Sequence, residues 1–169
     1  MRFRHILAAC ISLAVVAAQA AGPGPQPKNK ALPTVFVLGE YESGYEALVE
    51  NYEQSLLTAC NCTMKSAFAK WLGMLHELDV YARKQNVDIR GVKVWLHVFW
   101  KPDGTVDHMA YHLRPNSRQI EAEVMADLLE GFSDQYSFPL TAEDGFAHYS
   151  TGSFPVFGEL TSDGGSDDN

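Results

Sequence analysis

The sequence predicts an α+β domain in which an N-terminal helical hairpin packs with a small antiparallel sheet of β-hairpin, helix, strand order. Three observations carry that reading. Between residues 43 and 86 the apolar residues recur every three or four positions, as they do on a helix face turned to a core. From Val92 to Trp100 they alternate, as on a strand. A helical period then returns before a closing segment, FAHYSTGSFPVFG, whose Pro155 suits an edge strand. The single domain is expected to span 34–158, with the helical hairpin at 43–86 and the sheet-forming part at 91–158.

The chain opens MRFRHILAACISLAVVAAQAAG. Arg2 and Arg4 precede an apolar run from Ile6 to Ala18, and Ala18-Gln19-Ala20 supplies small residues for cleavage, so 1–20 reads as a secretory signal peptide. The run is short for a membrane span, and no integral membrane segment is expected after signal cleavage. Removing 20 of the 169 residues leaves 149, the size of one domain with a sizeable core. It also removes two arginines and no acid, moving the formal charge from -8 to -10. An acidic chain without a basic cluster argues against nucleic acid and against an anionic membrane surface, both of which need Lys and Arg. Residues 21–33, AGPGPQPKNKALP, read as a flexible tether, and 159–169, ELTSDGGSDDN, as a disordered acidic tail. The placement is periplasmic or secreted, and the short signal looks bacterial.

After the short strand TVFVLG, Ser43 with Glu46 three residues on makes a capping box for a first helix, whose stripe is Leu48, Tyr52 and Leu56. A second helix starts near Thr63, and Phe68, Trp71, Leu72, Leu75, Leu78, Tyr81 and Ala82 give it a buried stripe. Between the two lies TACNCTM. Cys60 and Cys62 are the pair that survives signal cleavage, in a compartment where disulfides persist. Their spacing is awkward for a bridge, because residues two apart need a turn to reach a suitable Cα separation. The simpler reading makes Cys60 a small apolar residue ending one helix and Cys62 the start of the next turn. The alternative is a strained, easily reduced bridge with redox activity, although no adjacent proline, lysine or histidine depresses a thiol pKa.

In GVKVWLHVFW, Val94, Leu96, Val98 and Trp100 share one face and Trp95, His97 and Phe99 the other. KPDG is a type I turn followed by a glycine able to take a left-handed conformation, so the chain reverses into TVDHMAYHL. Val106 and the set Met109, Tyr111, Leu113 reach the same face only with a bulge near Asp107. His97, His108 and His112 then fall away from the helix-packed face. His108 and His112 stand about 13 Å apart along one strand, too far to share an ion easily, so the histidines read as exposed or hydrogen-bonded and no metal site is expected. Trp95 and Phe99 beside them are either an exposed contact surface or core under the N-terminal elements. Trp95, His97, Phe99, His108 and His112 are therefore the candidate binding residues, and Cys60 and Cys62 the candidate redox pair.

A third helix is expected to begin at Asn116 or Ser117, with Gln119 completing a capping box and Ile120, Val124, Leu128 and Phe132 buried. No serine sits in a nucleophile elbow, no carboxylate pair faces itself and no glycine-rich phosphate loop occurs, so no catalytic residue is assigned. No cofactor is expected.

The order from Val92 onward, LHVFWKPDGTV, then a helix, then FPL at 138–140 and FPVF at 154–157, resembles the C-terminal domain of TonB-like periplasmic proteins over residues 91–158. The resemblance implies a β-hairpin, helix, strand layout and a domain that binds protein rather than catalyses. The expected function is an exported, non-catalytic protein-binding or envelope-structural module, partnered by an envelope protein or by itself. The alternative is a metal-dependent or redox-assisted periplasmic enzyme.

Overall fold

The computed structural model describes residues 31–157. The residues read as a signal peptide, most of those read as a tether and those read as an acidic tail fall outside the described residues. Within them the chain is α+β, with a mixed five-stranded sheet and four helices.

The centre is the predicted hairpin. β3 (Lys93–Trp100) turns through Lys101–Gly104 into β4 (Val106–Leu113). Lys101 and Thr105 close the turn, Lys101 N–H donating to the Thr105 carbonyl at 2.9 Å, and Gly104 takes φ +85°. The register steps from Phe99 opposite His108 to Trp100 opposite Val106, leaving Asp107 as the extra residue. The expected bulge is there. β5 (Phe146–Ser153) runs antiparallel along the other side of β3, after α4 (Ala122–Ser133).

The outer strands correct the expectation of a small antiparallel sheet. β1 (Val35–Val37) pairs parallel to β4, and the two-residue β2 (Gln54–Ser55) pairs parallel to β5, giving the order β1-β4-β3-β5-β2. Both are too short to carry an alternation that sequence could reveal.

The helical hairpin is corrected too. α1 (Glu42–Asn51) lies on one face of the sheet, where Leu48 joins Phe36, Phe99, Ala110 and Ala147. α3 (Met64–Lys84) lies on the other with α4, and their Trp71, Met74, Leu78, Met125 and Leu129 bury Val94, Leu96, Val98 and Trp100. The stripe read as Leu48, Tyr52, Leu56 is in fact split. Tyr52 ends α1, packs on Phe99 and donates to Asp107, whereas Leu56, in α2 (Leu56–Ala59), is fully buried in the main core. β2 is the crossing point between the faces.

Two caps differ for reasons of packing. Tyr41, not Ser43, precedes α1, and its ring sits edge-on to Phe36 at 5.8 Å. α4 begins only at Ala122 because the residues before it are held elsewhere. Arg118 N–H donates to the Gly91 carbonyl, its guanidinium binds the Arg90 and Asp88 carbonyls, and Ser117 Oγ accepts from Lys93 N–H at 2.9 Å. Those bonds outweigh the capping box read at Asn116. Thr63 does cap α3, its Oγ1 accepting from Ser66 N–H at 3.2 Å.

Candidate functional site

The face of the sheet opposite α3 and α4 holds all five candidate binding residues, and α1 divides them. α1 is short, so it covers one end of that face and leaves the other open. Under it Phe99 is fully buried against Tyr52 and Tyr45, which makes it core and removes it from any contact surface. Beyond it Trp95 is half-buried and Tyr149 is 50% exposed, their rings stacked 5.5 Å apart and 5° from parallel. Arg114 places its guanidinium carbon 5.5 Å from the centre of the Trp95 ring, a cation–π contact on the same platform.

His97 joins the two halves. Its ring meets Phe99, Tyr149 and Tyr45, and the Tyr45 hydroxyl lies 2.9 Å from Nδ1. Burial, with a smaller contribution from His148, pushes its pKa down to about 4. The ring is therefore neutral and acts as a packing and hydrogen-bonding group. His108 points its Nδ1 to Asp107 at 2.9 Å, and Asp107 also accepts from Tyr52 and faces Lys101 at 3.5 Å. Burial alone would raise the Asp107 carboxyl, but the bonds from Tyr52 and His108, with the charge of Lys101, outweigh it and hold the group ionised. His112, opposite Trp95, is exposed. His148 is on the reverse face, its ring 4.8 Å from Trp71. The histidines thus sit in separate settings, and among the described residues no three His, Cys, Asp or Glu side chains gather as metal ligands.

The platform borders an open strand edge. In the β3–β5 ladder Phe154 N–H donates to Val92, so even-numbered positions of β5 bond to β3 and the backbone groups of Tyr149 and Thr151 point away from it. β2 stops at Ser55 opposite Ala147, so among the described residues no strand lies beside His148–Ser153 on the side away from β3. The Thr151 carbonyl is taken by the Trp71 indole N–H at 3.3 Å. β5 carries no formally charged side chain, the usual guard of an edge.

Behind the edge, on the α3 side, a groove of about 240 Å³ is lined by Phe68, Leu72, Leu75, Val156 and Phe157 next to Ser150 and Thr151. Phe68 is 54% exposed although it belongs to the helical stripe read as buried, and Phe157 is 87% exposed. Tyr149, Arg114, Phe68 and Phe157 were missed as site residues by sequence reasoning. A strand period sets Tyr149 and His148 on opposite faces of β5, but no local pattern puts Tyr149 beside Trp95.

Cys60 and Cys62 are bridged, with Cα atoms 5.1 Å apart. Cys60 caps the end of α2, Asn61 takes a left-handed φ of +44°, and Cys62 immediately precedes the cap of α3. The turn that the spacing demanded is supplied.

No family model, no curated protein and no solved structure matches the chain. No helix among the described residues is long and apolar enough to cross a membrane.

Proposed function

We propose that the chain is an exported protein-binding module that captures an extended segment of an envelope protein along the open edge of β5, a surface that binds and does not catalyse. The observation that carries this reading is the outward pointing of the Tyr149 backbone groups and the Thr151 N–H between two apolar surfaces, the Trp95–Tyr149 platform and the Phe68–Phe157 groove. An added strand takes its hydrogen bonds from the edge and lays alternate side chains on the two surfaces, which is how β-strand addition combines affinity with selectivity.

Two sequence features support it. The signal peptide read at 1–20 supports a periplasmic or secreted domain. The order β3, β4, α4, β5 with FP at 138–139 and 154–155 resembles the C-terminal domain of TonB-like proteins, whose members bind protein.

The test is a photoreactive residue in place of Tyr149, irradiated in cells of the source, with and without Thr151→Pro. Proline removes an N–H that points away from β3, so the ladder survives while an incoming strand loses its donor. A discrete adduct that disappears with Thr151→Pro, in a protein that melts as the parent does, is the expected result. An adduct of unchanged yield removes edge pairing, and an adduct at twice the mass assigns the edge to self-association.

A further inference from the structure

The Cys60–Cys62 bridge has no part in that docking edge, and its setting differs from that of a bridge that holds a fold together. It encloses one residue, Asn61, so it withdraws less chain entropy from the unfolded state than any longer loop would. The helices on either side are capped without it. Ser55 Oγ accepts from Thr58 N–H at the start of α2, and Thr63 Oγ1 accepts from Ser66 N–H at the start of α3. Asn61, Thr63, Met64 and Lys65 around the bridge are exposed, and both cysteines are half-buried, so a thiol can approach. Asn61, between them, takes a left-handed conformation that asparagine tolerates, with its N–H on the Thr58 carbonyl.

The two sulfurs are not equivalent. Cys62 stands just ahead of the first turn of a 21-residue helix, whose unpaired amide groups favour negative charge. That turn carries no acid, and its Lys65, three residues past Cys62, corrects the reading that no lysine attends the pair. Cys60 ends the four-residue α2 and has no helix start beside it.

We propose that Cys60 and Cys62 form a thiol–disulfide exchange site for dithiol or disulfide substrates, with Cys62 the nucleophile. In the reduced protein the Cys62 thiolate attacks one sulfur of a substrate disulfide. A bond forms between Cys62 and that sulfur, the substrate bond breaks, and its electron pair leaves on the second substrate sulfur, which takes a proton. Cys60, giving its proton to water, then attacks Cys62 Sγ, closing the bridge and releasing the first substrate sulfur as a thiolate. Two electrons pass from the cysteine pair to the substrate. With a dithiol substrate the same steps run in reverse, and the bridge is reduced.

Two measurements on the mature protein test this. The first equilibrates it in mixtures of reduced and oxidised glutathione, quenches with acid and counts alkylated thiols by intact mass. The bridge is expected to open and close reversibly with the far-ultraviolet spectrum unchanged. A bridge untouched by glutathione without denaturant, or a domain that unfolds when it opens, overturns the proposal. The second follows the pH dependence of alkylation in Cys60→Ser and Cys62→Ser. Cys62, alone in Cys60→Ser, is expected to react with a midpoint at least about one pH unit below the ordinary thiol value of about 8.5, and Cys60, alone in Cys62→Ser, near or above that value. Equal midpoints, or the reverse order, remove Cys62 as nucleophile.

Discussion

The Tyr45 hydroxyl and Nδ1 of His97 lie 2.9 Å apart across 52 residues of chain, and the contact ties α1 to the central strand. It also sets a pH dependence. Burial, reinforced by His148 nearby, lowers the His97 pKa to about 4, whereas an unfolded histidine titrates near 6.5. Between those values the unfolded chain binds a proton that the folded ring refuses, so stability is full above about pH 6.5 and falls as pH drops toward 4. The shift corresponds to roughly 3 kcal/mol, reduced to about 2 kcal/mol by screening at a partly exposed ring. Tyr45 from α1, and Tyr149 and His148 from β5, are the other titratable groups around it, and burial lowers His148 as well. Urea melts at pH 7 and pH 4.5 should show a larger loss for the parent than for His97→Gln; equal losses would remove His97 as the source.

Trp95 and Phe99 are four residues apart on one strand face, and the structure assigns them opposite roles. Phe99→Ala opens a cavity between α1 and the sheet and should cost about 3–5 kcal/mol, the usual range for a buried phenylalanine. Trp95→Ala leaves Tyr149 and Arg114 without a partner at the surface and should cost about 1 kcal/mol. Partner capture should show the reverse ranking in the Trp95→Ala protein, which stays folded. Thermal melts beside crosslinking yields would check both, and a Trp95→Ala protein as unstable as Phe99→Ala would place Trp95 in the core.

These assignments separate what the sequence exposes from what it hides. Alternation in β3 told which residues share a face, and the mismatch between Val106 and Met109 located the bulge at Asp107, because a period of two makes any one-residue slip visible. The start of α3 near Thr63 was readable because the bond that caps it reaches only to Ser66. The start of α4 was not, because Arg118 is held by the carbonyls of Asp88 and Arg90, which lie in another loop. Nor was the switch of faces between Tyr52 and Leu56, since five residues at helical spacing look the same whether or not a strand interrupts them. The platform needed β5 to be placed beside β3, which no local pattern supplies.

Asp107 gathers Tyr52 from α1, His108 from its own strand and Lys101 from the turn, so the bulge is a junction as well as an irregularity. Its carboxyl is held below the ordinary value, and the stability it adds is present above about pH 4 and lost as pH falls through the lowered value. Asp107→Ala, which removes both acceptor oxygens, should cost about 1–2 kcal/mol at pH 7. Tyr52→Phe should cost a similar amount alone, and the double variant less than the two together, since either change breaks the same bond. Strict additivity in urea melts would mean that Tyr52 acts through its ring on Phe99 and not through its hydroxyl.

Two glycines give the last comparison, with opposite signs. Gly104 closes the hairpin at φ +85°, and a Cβ there would run into the carbonyl oxygens of Phe138 and Leu140, which cross the turn so that Phe138 N–H donates to the Gly104 carbonyl. Both the backbone conformation and the close approach exclude a side chain, so Gly104→Ala should cost about 3 kcal/mol. Gly73 sits within α3 with nothing inside 4 Å of its added Cβ. There alanine only narrows the unfolded chain and suits the helix, so Gly73→Ala should add about 0.5–1 kcal/mol. Denaturant midpoints of the two variants should move in opposite directions, and a Gly104→Ala protein as stable as the parent would mean that the turn and the 138–140 segment separate in solution.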